Sequence, residues 1–335
     1  MKKKTIIIAI ALIAALSIIL FVSARAGLKR LASDDFYVWS RVSLRNIGSN
    51  GKRLVAVSPS GVDAYAVEEH GGYTYRSTDR GENWVQLDSK PDADLVTALI
   101  VDRNNRVFAG TSSGLYRSTD KGATWTRCTK GMWSYIIDAF ALDSEGRIYA
   151  GGDKNAVYRS DDGGNSWKKI GIGQNIIYDP HINALCITPE GHIFAVAYGS
   201  IFKSDDGGKH WINLKLKADY DIIAIFAVDD NQLYISDYSS LYTSDGQGNC
   251  DRIDLGSNII GEKIRCNTVT AAPNGHIIIG TSDGAYISTD KGKSWKKLNT
   301  TICGFYRPNI DSISIDSKGR VFAAAGSSVF IGVPK

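Results

Sequence analysis

The amino-acid sequence predicts an all-β protein built from repeated four-stranded units. Three features of the 335 residues support this: 34 glycines, many aromatic residues including 16 tyrosines and 7 tryptophans, and a short phrase that returns along the chain. Short apolar or aromatic segments separated by glycine-containing turns are typical of β-strands. The repeated phrase sets the size of the unit.

The repeated phrase begins with an aromatic residue and ends in tryptophan. It occurs as YRSTDRGENW (75–84), YRSTDKGATW (116–125), YRSDDGGNSW (158–167), FKSDDGGKHW (202–211) and YISTDKGKSW (286–295). A sixth copy, YTSDGQGNCD (242–251), lacks the aspartate and the tryptophan of the pattern. The serines of the six copies lie 41, 42, 44, 40 and 44 residues apart, which indicates a structural repeat.

A second marker shares this period and occurs seven times. It is a tight turn followed by an apolar strand, as in NNRVFAG (104–110) and NGHIIIG (274–280). The second unit then contains the strands ALIVD, RVFAGT, LYRST and TWTRC. We expect the first of these to be buried on both sides, because it is almost continuously apolar, and the later ones to alternate. Four strands per unit, repeated seven times, predict a seven-bladed β-propeller of four-stranded antiparallel blades.

The last unit lacks a fourth strand, because the chain ends at SVFIGVPK. The segment VWSRVS (38–43) resembles the fourth strands of other units, such as WKKIG and WKKLN. We therefore predict that this N-terminal strand completes the last blade and closes the ring, which removes the free sheet edges. The propeller is predicted to span residues 36–335 as a single domain.

The N-terminus has the features of an export signal. Lys2, Lys3 and Lys4 precede an apolar run from Thr5 to Val22, and Ala24-Arg25-Ala26 resembles a cleavage site. Residues 1–26 are predicted to be a signal peptide or an N-terminal membrane anchor, and residues 27–35 a linker. The run of 18 apolar residues leaves both cleavage and retention open. In either case the predicted location is extracytoplasmic.

The charge and the cysteines argue against two kinds of site. Four of the basic residues lie in the first 26 residues, and the remainder has 35 basic and 35 acidic residues, so no bulk positive charge favours nucleic acid. The five cysteines have no CxxC spacing and no partner histidines nearby, which argues against a zinc site. We predict no bound metal and no cofactor. We expect the cysteines to be small buried side chains, and whether any two of them form a disulfide remains open. They are Cys128, Cys186, Cys250, Cys266 and Cys303.

The pattern S-x-D-x-G-x-x-W, complete in five units, resembles the Asp-box or BNR repeat. This repeat occurs in sialidases, sortilin-type receptors, xyloglucan-cleaving glycoside hydrolases and photosystem II assembly factors, and the single exported ring is most similar in layout to the last of these. The resemblance implies the fold but no particular chemistry, because those families share the hairpin and not a reaction.

The acids, glycines and tryptophans of the box are predicted to be structural. The aspartate accepts backbone hydrogen bonds, the glycine takes positive φ, and the tryptophan covers the hairpin. The residues concerned are Asp79, Gly81, Trp84, Asp120, Gly122, Trp125, Asp162, Gly164, Trp167, Asp206, Gly208, Trp211, Asp290, Gly292 and Trp295.

The candidate ligand site lies on the opposite face of the ring. We call this the loop face; it is formed by the loops within blades between their second and third strands, and by the connections between blades, which include 89–95, 130–136, 173–181, 217–222, 256–266 and 299–311. Exposed aromatic rings among carboxylates suit the capture of a peptide or a glycan. The candidate residues are Trp133, Tyr135, Tyr178, Asp179, His181, Tyr220, Asp221, Phe305, Tyr306 and Arg307, and the loops within blades add Glu68, Glu69, Lys154, Tyr198 and Tyr238.

These residues support two hypotheses. The first is a non-catalytic exported scaffold that binds a protein segment or a glycan on the loop face. The alternative is a glycoside hydrolase, in which Asp179 and Asp221 on neighbouring connections act as the two carboxylates. The resemblance to sialidases would further imply an arginine triad, for which Arg45, Arg265 and Arg307 are candidates. The Arg-Ile-Pro motif of sialidases is missing, and seven units rather than six are present.

Overall fold

The computed structural model describes most of the propeller region. The described residues are 26–27, 29–33, 36–44, 53–134, 136–154, 156–172, 181–197, 199–215, 222–237, 240–253, 264–298, 309–326 and 328–335. The predicted export signal, residues 1–26, lies almost entirely outside them. Within the described part of the chain, no helical segment has the length and apolarity of a membrane crossing.

All of the described regular structure is β-strand. The strands, in chain order, are β1 (Ala26–Gly27), β2 (Lys29–Ser33), β3 (Tyr37–Ser43), β4 (Arg53–Val57), β5 (Ala64–Glu68), β6 (Thr74–Ser77), β7 (Asn83–Gln86), β8 (Val96–Val101), β9 (Val107–Thr111), β10 (Gly114–Ser118), β11 (Thr126–Arg127), β12 (Ile137–Leu142), β13 (Ile148–Gly152), β14 (Ala156–Ser160), β15 (Lys168–Lys169), β16 (Ile182–Ile187), β17 (Ile193–Ala197), β18 (Ser200–Ser204), β19 (Ile212–Asn213), β20 (Ile222–Asp229), β21 (Gln232–Asp237), β22 (Leu241–Ser244), β23 (Cys250–Ile253), β24 (Cys266–Ala271), β25 (Ile277–Thr281), β26 (Gly284–Ser288), β27 (Lys296–Lys297), β28 (Ser312–Ile315), β29 (Val321–Ala325) and β30 (Ser328–Pro334).

These strands form seven antiparallel sheets, which are the predicted blades. Blade 1 contains β4 to β7, and blades 2 to 6 each take the next four strands, ending with β24 to β27 in blade 6. Blade 7 contains β28, β29, β30 and β3. The first strand of each blade contacts the first strand of the next, and β28 contacts β4, so the seven sheets close a ring with these strands innermost. The predicted fold class is confirmed.

The N-terminal strand closes the last blade as predicted. β3 pairs antiparallel with β30 along its whole length, from Tyr37 opposite Pro334 to Ser43 opposite Ser328. Trp39, at the centre of β3, is fully buried. A Cβ on Gly332 would lie 2.9 Å from the Trp39 ring, so the glycine provides the space that the indole occupies. Both ends of the propeller are therefore held in one blade.

Two short strands precede the closing strand: β1 begins at the last residue of the predicted export signal, and β2 lies within the range predicted as a linker. β2 pairs with the outer edge of β3, and β1 pairs with β7 at the outer edge of blade 1. Blades 1 and 7 thereby become five-stranded sheets. The outer strand of a propeller blade is a sheet edge with unused backbone groups, which a passing chain segment can satisfy.

The burial of the first strand differs from our expectation. In β12 every second residue is only half-buried, whereas all five residues of β13 are buried. The same complete burial holds for β5, β9, β17, β25 and β29. The reason is position: the second strand has a strand on each side and a blade against each face, whereas the first strand is the inner edge beside the central channel.

The cysteines within the described ranges are free thiols. Cys128, Cys186 and Cys266 are buried and Cys250 is half-buried. Burial raises the pKa of the Cys128 thiol to about 12 and that of Cys250 to about 11, so both thiols are protonated at neutral pH. The expectation of small buried side chains is confirmed for the three buried cysteines, and Cys303 lies outside the described residues.

Candidate functional site

The Asp-box of blade 3 shows how the repeated turn is built. The Ser160 hydroxyl donates to Asp162 Oδ1 at 2.8 Å and accepts the N–H of Gly164 at 2.7 Å. Ser166 closes the turn, because its N–H donates to Asp162 Oδ1 at 2.9 Å and its hydroxyl donates to Oδ2 at 2.6 Å. Both carboxylate oxygens of Asp162 are therefore used by the turn itself.

The other boxes repeat this arrangement. In each, the aspartate carboxylate accepts hydrogen bonds from the backbone N–H and the side chain of the residue four positions later. These donor residues are Asn83, Thr124, His210 and Ser294. Partial burial alone would raise the pKa of Asp162, but the hydrogen bonds from Ser166 and Ser160 lower it to about 2. The Ser294 hydroxyl and N–H lower the pKa of Asp290 to about 2. Hydrogen bonding to the charged form has this effect on a carboxylate.

The box glycines have two functions, of which the sequence predicted one. Gly164 has the predicted positive φ, +82°. A Cβ at this position would also lie 2.6 Å from the ring of Phe108 in blade 2. Gly81, Gly122 and Gly208 contact the preceding blade just as closely. The glycine therefore also lets each box approach the blade before it.

The box tryptophans cover the junction between blades. Trp84 and Trp167 are buried, at 1% and 5% exposure, and the other three are half-buried. Trp84 packs with Phe322 and Ile331 of blade 7, and its indole N–H donates to Gly81 O at 2.9 Å. Burying an indole in this way contributes about 2–3 kcal/mol to folding. These contacts place the box residues within their hairpins and against the neighbouring blade.

The sixth copy retains the turn in a shortened form, which corrects our description of it as lacking the aspartate. Asp245 lies one residue earlier than in the pattern and accepts the N–H of Asn249 at 3.1 Å and its side-chain amide at 2.5 Å. Cys250 follows at the place of the tryptophan and packs against the core between blades 4 and 5. The sixth turn is therefore one residue shorter than the others, and its aspartate accepts the same kind of hydrogen bonds from one position earlier.

A second set of acids supports the turns between the first and second strands, and the sequence analysis missed it. Asp102 Oδ1 accepts the N–H groups of Asn104 and Arg106, both at 2.9 Å, and Arg106 Nε donates to Oδ2 at 2.6 Å. Asp143 and Asp316 repeat the pattern with an arginine four residues later. The signal D-x-x-x-R was present in the sequence. We call the face with these turns and the boxes the Asp-box face.

Most of the predicted ligand residues lie outside the described part of the chain. These are Tyr135, Tyr178, Asp179, Tyr220, Asp221, Phe305, Tyr306 and Arg307, together with Tyr198 and Tyr238. Trp133 and His181 lie within the described residues. Glu68 is not available for a ligand, because it is buried in β5 and forms a salt bridge with Arg53 at 2.8 Å.

Trp133 is exposed on a connection whose backbone is held in place. The Trp133 side chain is 80% exposed, whereas the backbone N–H of Trp133 donates to the Tyr158 hydroxyl at 3.0 Å. Two residues earlier, Gly131 has a φ of +88° and lies so close to Trp167 O that a Cβ would be 2.2 Å from that oxygen. Lys130 O accepts the Trp167 N–H at 2.9 Å. The connection between blades 2 and 3 thus presents a large apolar ring to solvent from an ordered backbone.

The inner strands begin with a repeated irregularity at the loop face. In blades 2 to 6 the pairing of the first strand shifts around its second residue, which is the signature of a β-bulge. Bulges re-aim side chains and are frequent beside functional sites. We call the five bulge residues the mouth ring: Thr97, Asp138, Asn183, Ile223 and Asn267.

Mouth-ring side chains contact the following blade. Thr97 Oγ1 donates to Ile137 O at 2.6 Å, and Asn267 Nδ2 donates to Ile310 O at 2.9 Å. Arg265 Nε donates to Asn267 Oδ1 at 3.0 Å. Of the three arginines considered for a sialidase-like triad, Arg265 is therefore engaged with the mouth ring, while Arg45 and Arg307 lie outside the described residues.

His181 reaches the mouth ring through Asp138. His181 Nε2 contacts Asp138 Oδ2, and their side chains are 42% and 21% exposed. Burial raises the pKa of Asp138, and the favourable effects of His181 and Thr97 offset only part of that increase. The sequence had indicated His181 but not its partner. A signal existed, because mouth-ring residues are polar in four of the five blades, and in three of these they stand between two apolar neighbours.

A second exposed aromatic lies beside blade 1. Tyr73 is 48% exposed, and Lys90 Nζ lies 5.4 Å from its ring centroid. Lys90 also donates to Gly71 O at 2.6 Å, which connects this loop to the connection between blades 1 and 2. The loop face thus combines hydrogen-bonding groups at the channel with aromatic rings further out.

In the described part of the chain, no three His, Cys, Asp or Glu side chains are placed to hold a metal ion.

The chain is similar to known propellers in sequence family and in fold. Residues 9–134 and 65–175 match the DUF6242 β-propeller domain, and residues 286–297 match the BNR/Asp-box repeat. No curated protein sequence matches the chain.

Solved structures of similar fold cover nearly the whole chain. A structure of YCF48 bound to a D1 peptide is 14% identical, with a TM-score of 0.67 over 91% of this chain and 100% of that one. YCF48 from Cyanidioschyzon merolae is 15% identical, with a TM-score of 0.64 over 88% and 98%. Selenomethionine-substituted virginiamycin B lyase from Staphylococcus aureus is 14% identical, with a TM-score of 0.70 over 89% and 99%. At these identities the likeness concerns the fold alone. The BNR match falls on the last of the five complete boxes, so the chain carries Asp-box repeats within a β-propeller fold.

Proposed function

We propose that this protein is an extracytoplasmic binding protein without catalytic activity, which captures an extended segment of a partner protein on its loop face. The observation that carries the proposal is Trp133, an 80% exposed indole on an anchored connection that leads directly into Asp138 of the mouth ring. Tryptophans with this exposure are rare on surfaces that contact only water and are frequent among residues that dominate binding energy.

The mouth ring supplies groups that suit a peptide backbone. Asp138 and Asn183 place a carboxylate and an amide at the channel, and Asn183 is exposed, whereas the Asn267 amide is already used by Asn309, Ile310 and Arg265. Amide side chains can donate and accept, and a peptide in extended form offers both kinds of group. The YCF48 structure of similar fold is bound to a D1 peptide, which supports a protein segment as the ligand class.

The test is a selection of random dodecapeptides on the purified propeller, followed by affinity measurements on one synthetic peptide. Trp133→Ala is expected to weaken binding by about tenfold or more, because a central aromatic contributes on the order of 2 kcal/mol. Ile212→Ala is the matched control, since Ile212 is 62% exposed on the outer strand of blade 4. Its affinity should stay within a factor of two.

Three results would contradict the proposal. The first is equal affinity of the Trp133→Ala variant and the wild type, and the second is the absence of any selected peptide. The third is capture of a glycan, in a parallel glycan array, that depends on Trp133 and is not matched by any peptide.

The enzyme alternative has its own assay. We expect no release of sugar from fluorogenic sialosides or xyloglucan oligosaccharides. Turnover that disappears in Asp179→Asn or Asp221→Asn would replace the binding function by a glycoside hydrolase.

Export is the second part of the proposal and depends on residues 1–26. A fusion of residues 1–35 to a reporter enzyme that is active only in an oxidising compartment should be active. Deletion of Lys2 to Val22 should abolish that activity, and N-terminal sequencing of the full chain shows whether the segment is removed. An active reporter without the apolar run would contradict export by this segment.

A further inference from the structure

A polar cavity opens on the Asp-box face between blades 5 and 6, on the opposite side of the ring from the proposed peptide site. Its volume is about 550 Å³. Its walls come from the first turn of blade 5, the shortened sixth box and the complete box of blade 6, and they include Asp229, Gln232, Thr243, Asp251, Lys291 and Lys293. The volume lies within the range of small-ligand sites, about 300–1,000 Å³.

The internal repeat shows what fills the corresponding space elsewhere. In blade 2, Arg117 Nη1 donates to Gly163 O at 2.7 Å and to Asn165 Oδ1 at 2.8 Å in the box of blade 3. Arg106 lies beside it, with its Nε bonded to Asp102 Oδ2 at 2.6 Å and its guanidinium against Gly163. Two guanidinium groups therefore occupy the junction between blades 2 and 3.

Blade 5 carries shorter neutral side chains at these two positions. Thr243 pairs with Tyr234 as Arg117 pairs with Phe108, and Gln232 lies immediately before Leu233 as Arg106 lies immediately before Val107. Among the described residues, Gln232 Nε2 donates to the Tyr234 hydroxyl at 2.8 Å and to Lys291 O at 3.4 Å. The cavity is thus the space of two arginines that blade 5 does not have.

The acceptors for a guanidinium nevertheless remain. Asp229 corresponds to Asp102 and accepts the N–H of Asn231 at 2.8 Å, yet it forms no salt bridge with any residue in the described ranges. Lys291 O corresponds to Gly163 O, the acceptor for Arg117. Asp251 adds an exposed carboxylate opposite Thr243.

The charge of the walls is compatible with a cation. The three carboxylates of Asp229, Asp245 and Asp251 outnumber the ammonium groups of Lys291 and Lys293 by one. Both lysines are exposed and extend from the backbone of the blade 6 box, so their side chains can turn to solvent.

We propose that this cavity binds a guanidinium group, supplied either by an arginine side chain of a partner protein or by a free guanidinium compound. A guanidinium can donate to the Asp229 carboxylate, as Arg106 does to Asp102, or to the Lys291 carbonyl, as Arg117 does to Gly163 O. An ammonium group lacks this planar set of donors and should bind less well.

The test is calorimetric titration of the whole propeller with three probes: L-argininamide, the capped tripeptide Gly-Arg-Gly, and the capped tripeptide Gly-Lys-Gly. Both arginine probes are expected to bind, and at least tenfold more tightly than the lysine probe. Tighter binding of L-argininamide than of the Gly-Arg-Gly probe would indicate a free compound as the source, and the reverse would indicate a protein side chain.

Two variants locate the site. Thr243→Arg puts the missing side chain back and should weaken binding of both arginine probes at least tenfold while the protein remains folded. Asp229→Asn removes the acceptor without filling the cavity and should have an effect of the same direction. Ile212→Arg adds the same side chain at an exposed position on blade 4 and should leave the affinity unchanged.

The proposal is overturned if neither arginine probe binds at 10 mM, or if the lysine probe binds as well as they do. It is also overturned if binding survives in both Thr243→Arg and Asp229→Asn. None of these results would affect the peptide site on the loop face, because that site is tested with Trp133.

Discussion

Asp138 and Asp162 belong to the same blade but lie on opposite faces of the ring. Asp162 has both oxygens occupied by its own turn, and hydrogen bonds lower its pKa to about 2 even though partial burial opposes them. Asp138 lies at the channel mouth, where burial raises its pKa in spite of His181. The fold stabilises the charged form of the first carboxylate and disfavours that of the second.

This difference distinguishes structural acids from candidate functional ones. The acid of the box recurs around the ring with the same partners, so each copy serves its own hairpin. The mouth ring changes from blade to blade, from Thr97 through Asp138 to Ile223. Within a repeat protein, positions that differ between units are where a single ligand can be recognised, and the cavity between blades 5 and 6 follows the same rule.

The largest effect is expected where the box meets the neighbouring blade. Gly164→Ala should lower the free energy of unfolding by about 2–4 kcal/mol, because a Cβ would lie 2.6 Å from Phe108 at a φ of +82°. Gly146→Ala is the control, with φ +81° and no atom within 4 Å, and should cost about 1 kcal/mol. Urea denaturation measures both, and equal losses would show that the box does not depend on contact with blade 2.

A smaller effect separates the two acids directly. Asp162→Ala should lower the free energy of unfolding by about 1 kcal/mol, since it removes a cap-like acceptor for the turn. Asp138→Asn should leave the free energy of unfolding at pH 7 unchanged, because a neutral amide avoids the cost of desolvating a partly buried charge. Peptide binding should respond in the opposite order, with Asp138→Asn weakening it and Asp162→Ala leaving it intact. Loss of peptide binding in Asp162→Ala would mean that the box is itself a ligand site.

The smallest expected effect is a change in how the stability of the protein depends on pH below 4. The folded-state pKa of Asp162 lies below its ordinary value of 3.8, so protonation favours the unfolded chain. Its contribution to stability is complete above about pH 4 and disappears as the pH falls through about 2. Asp162→Asn should therefore narrow the difference in unfolding midpoint between pH 4 and pH 2 relative to wild type. An unchanged pH dependence would show that the Asp162 carboxylate does not gain stability from its turn.

The ring could be predicted from the sequence because its evidence is repetitive. Seven turn markers and the tryptophan strand at 38–43 give the number of blades and the closure through β3. The sixth turn was described incorrectly, because Asp245 is shifted by one residue and only the hydrogen bonds to Asn249 show that it performs the same task. The burial of the first strands was overestimated, because an apolar run does not show which strand borders the channel.

The candidate site was predicted only in outline. Trp133 and His181 were indicated by residue type, but the mouth ring depends on the register between neighbouring strands, which a single strand does not contain. Asp138 therefore remained unnoticed next to His181. The cavity between blades 5 and 6 could be recognised only by superimposing two blade junctions. Thr243 and Gln232 of blade 5 stand where blade 2 has two arginines, and the sequence does not show that these positions lie side by side.

The central claim is that the box carboxylates are held charged by their own turns, whereas the carboxylate at the channel mouth is not. Carbon-13 NMR titration of the aspartate carboxyl groups tests it most directly, with signals assigned by Asp162→Asn and Asp138→Asn. The account predicts a midpoint near pH 2 for Asp162 and one above 3.8 for Asp138. A titration of Asp162 at or above 3.8, or of Asp138 below Asp162, would contradict it.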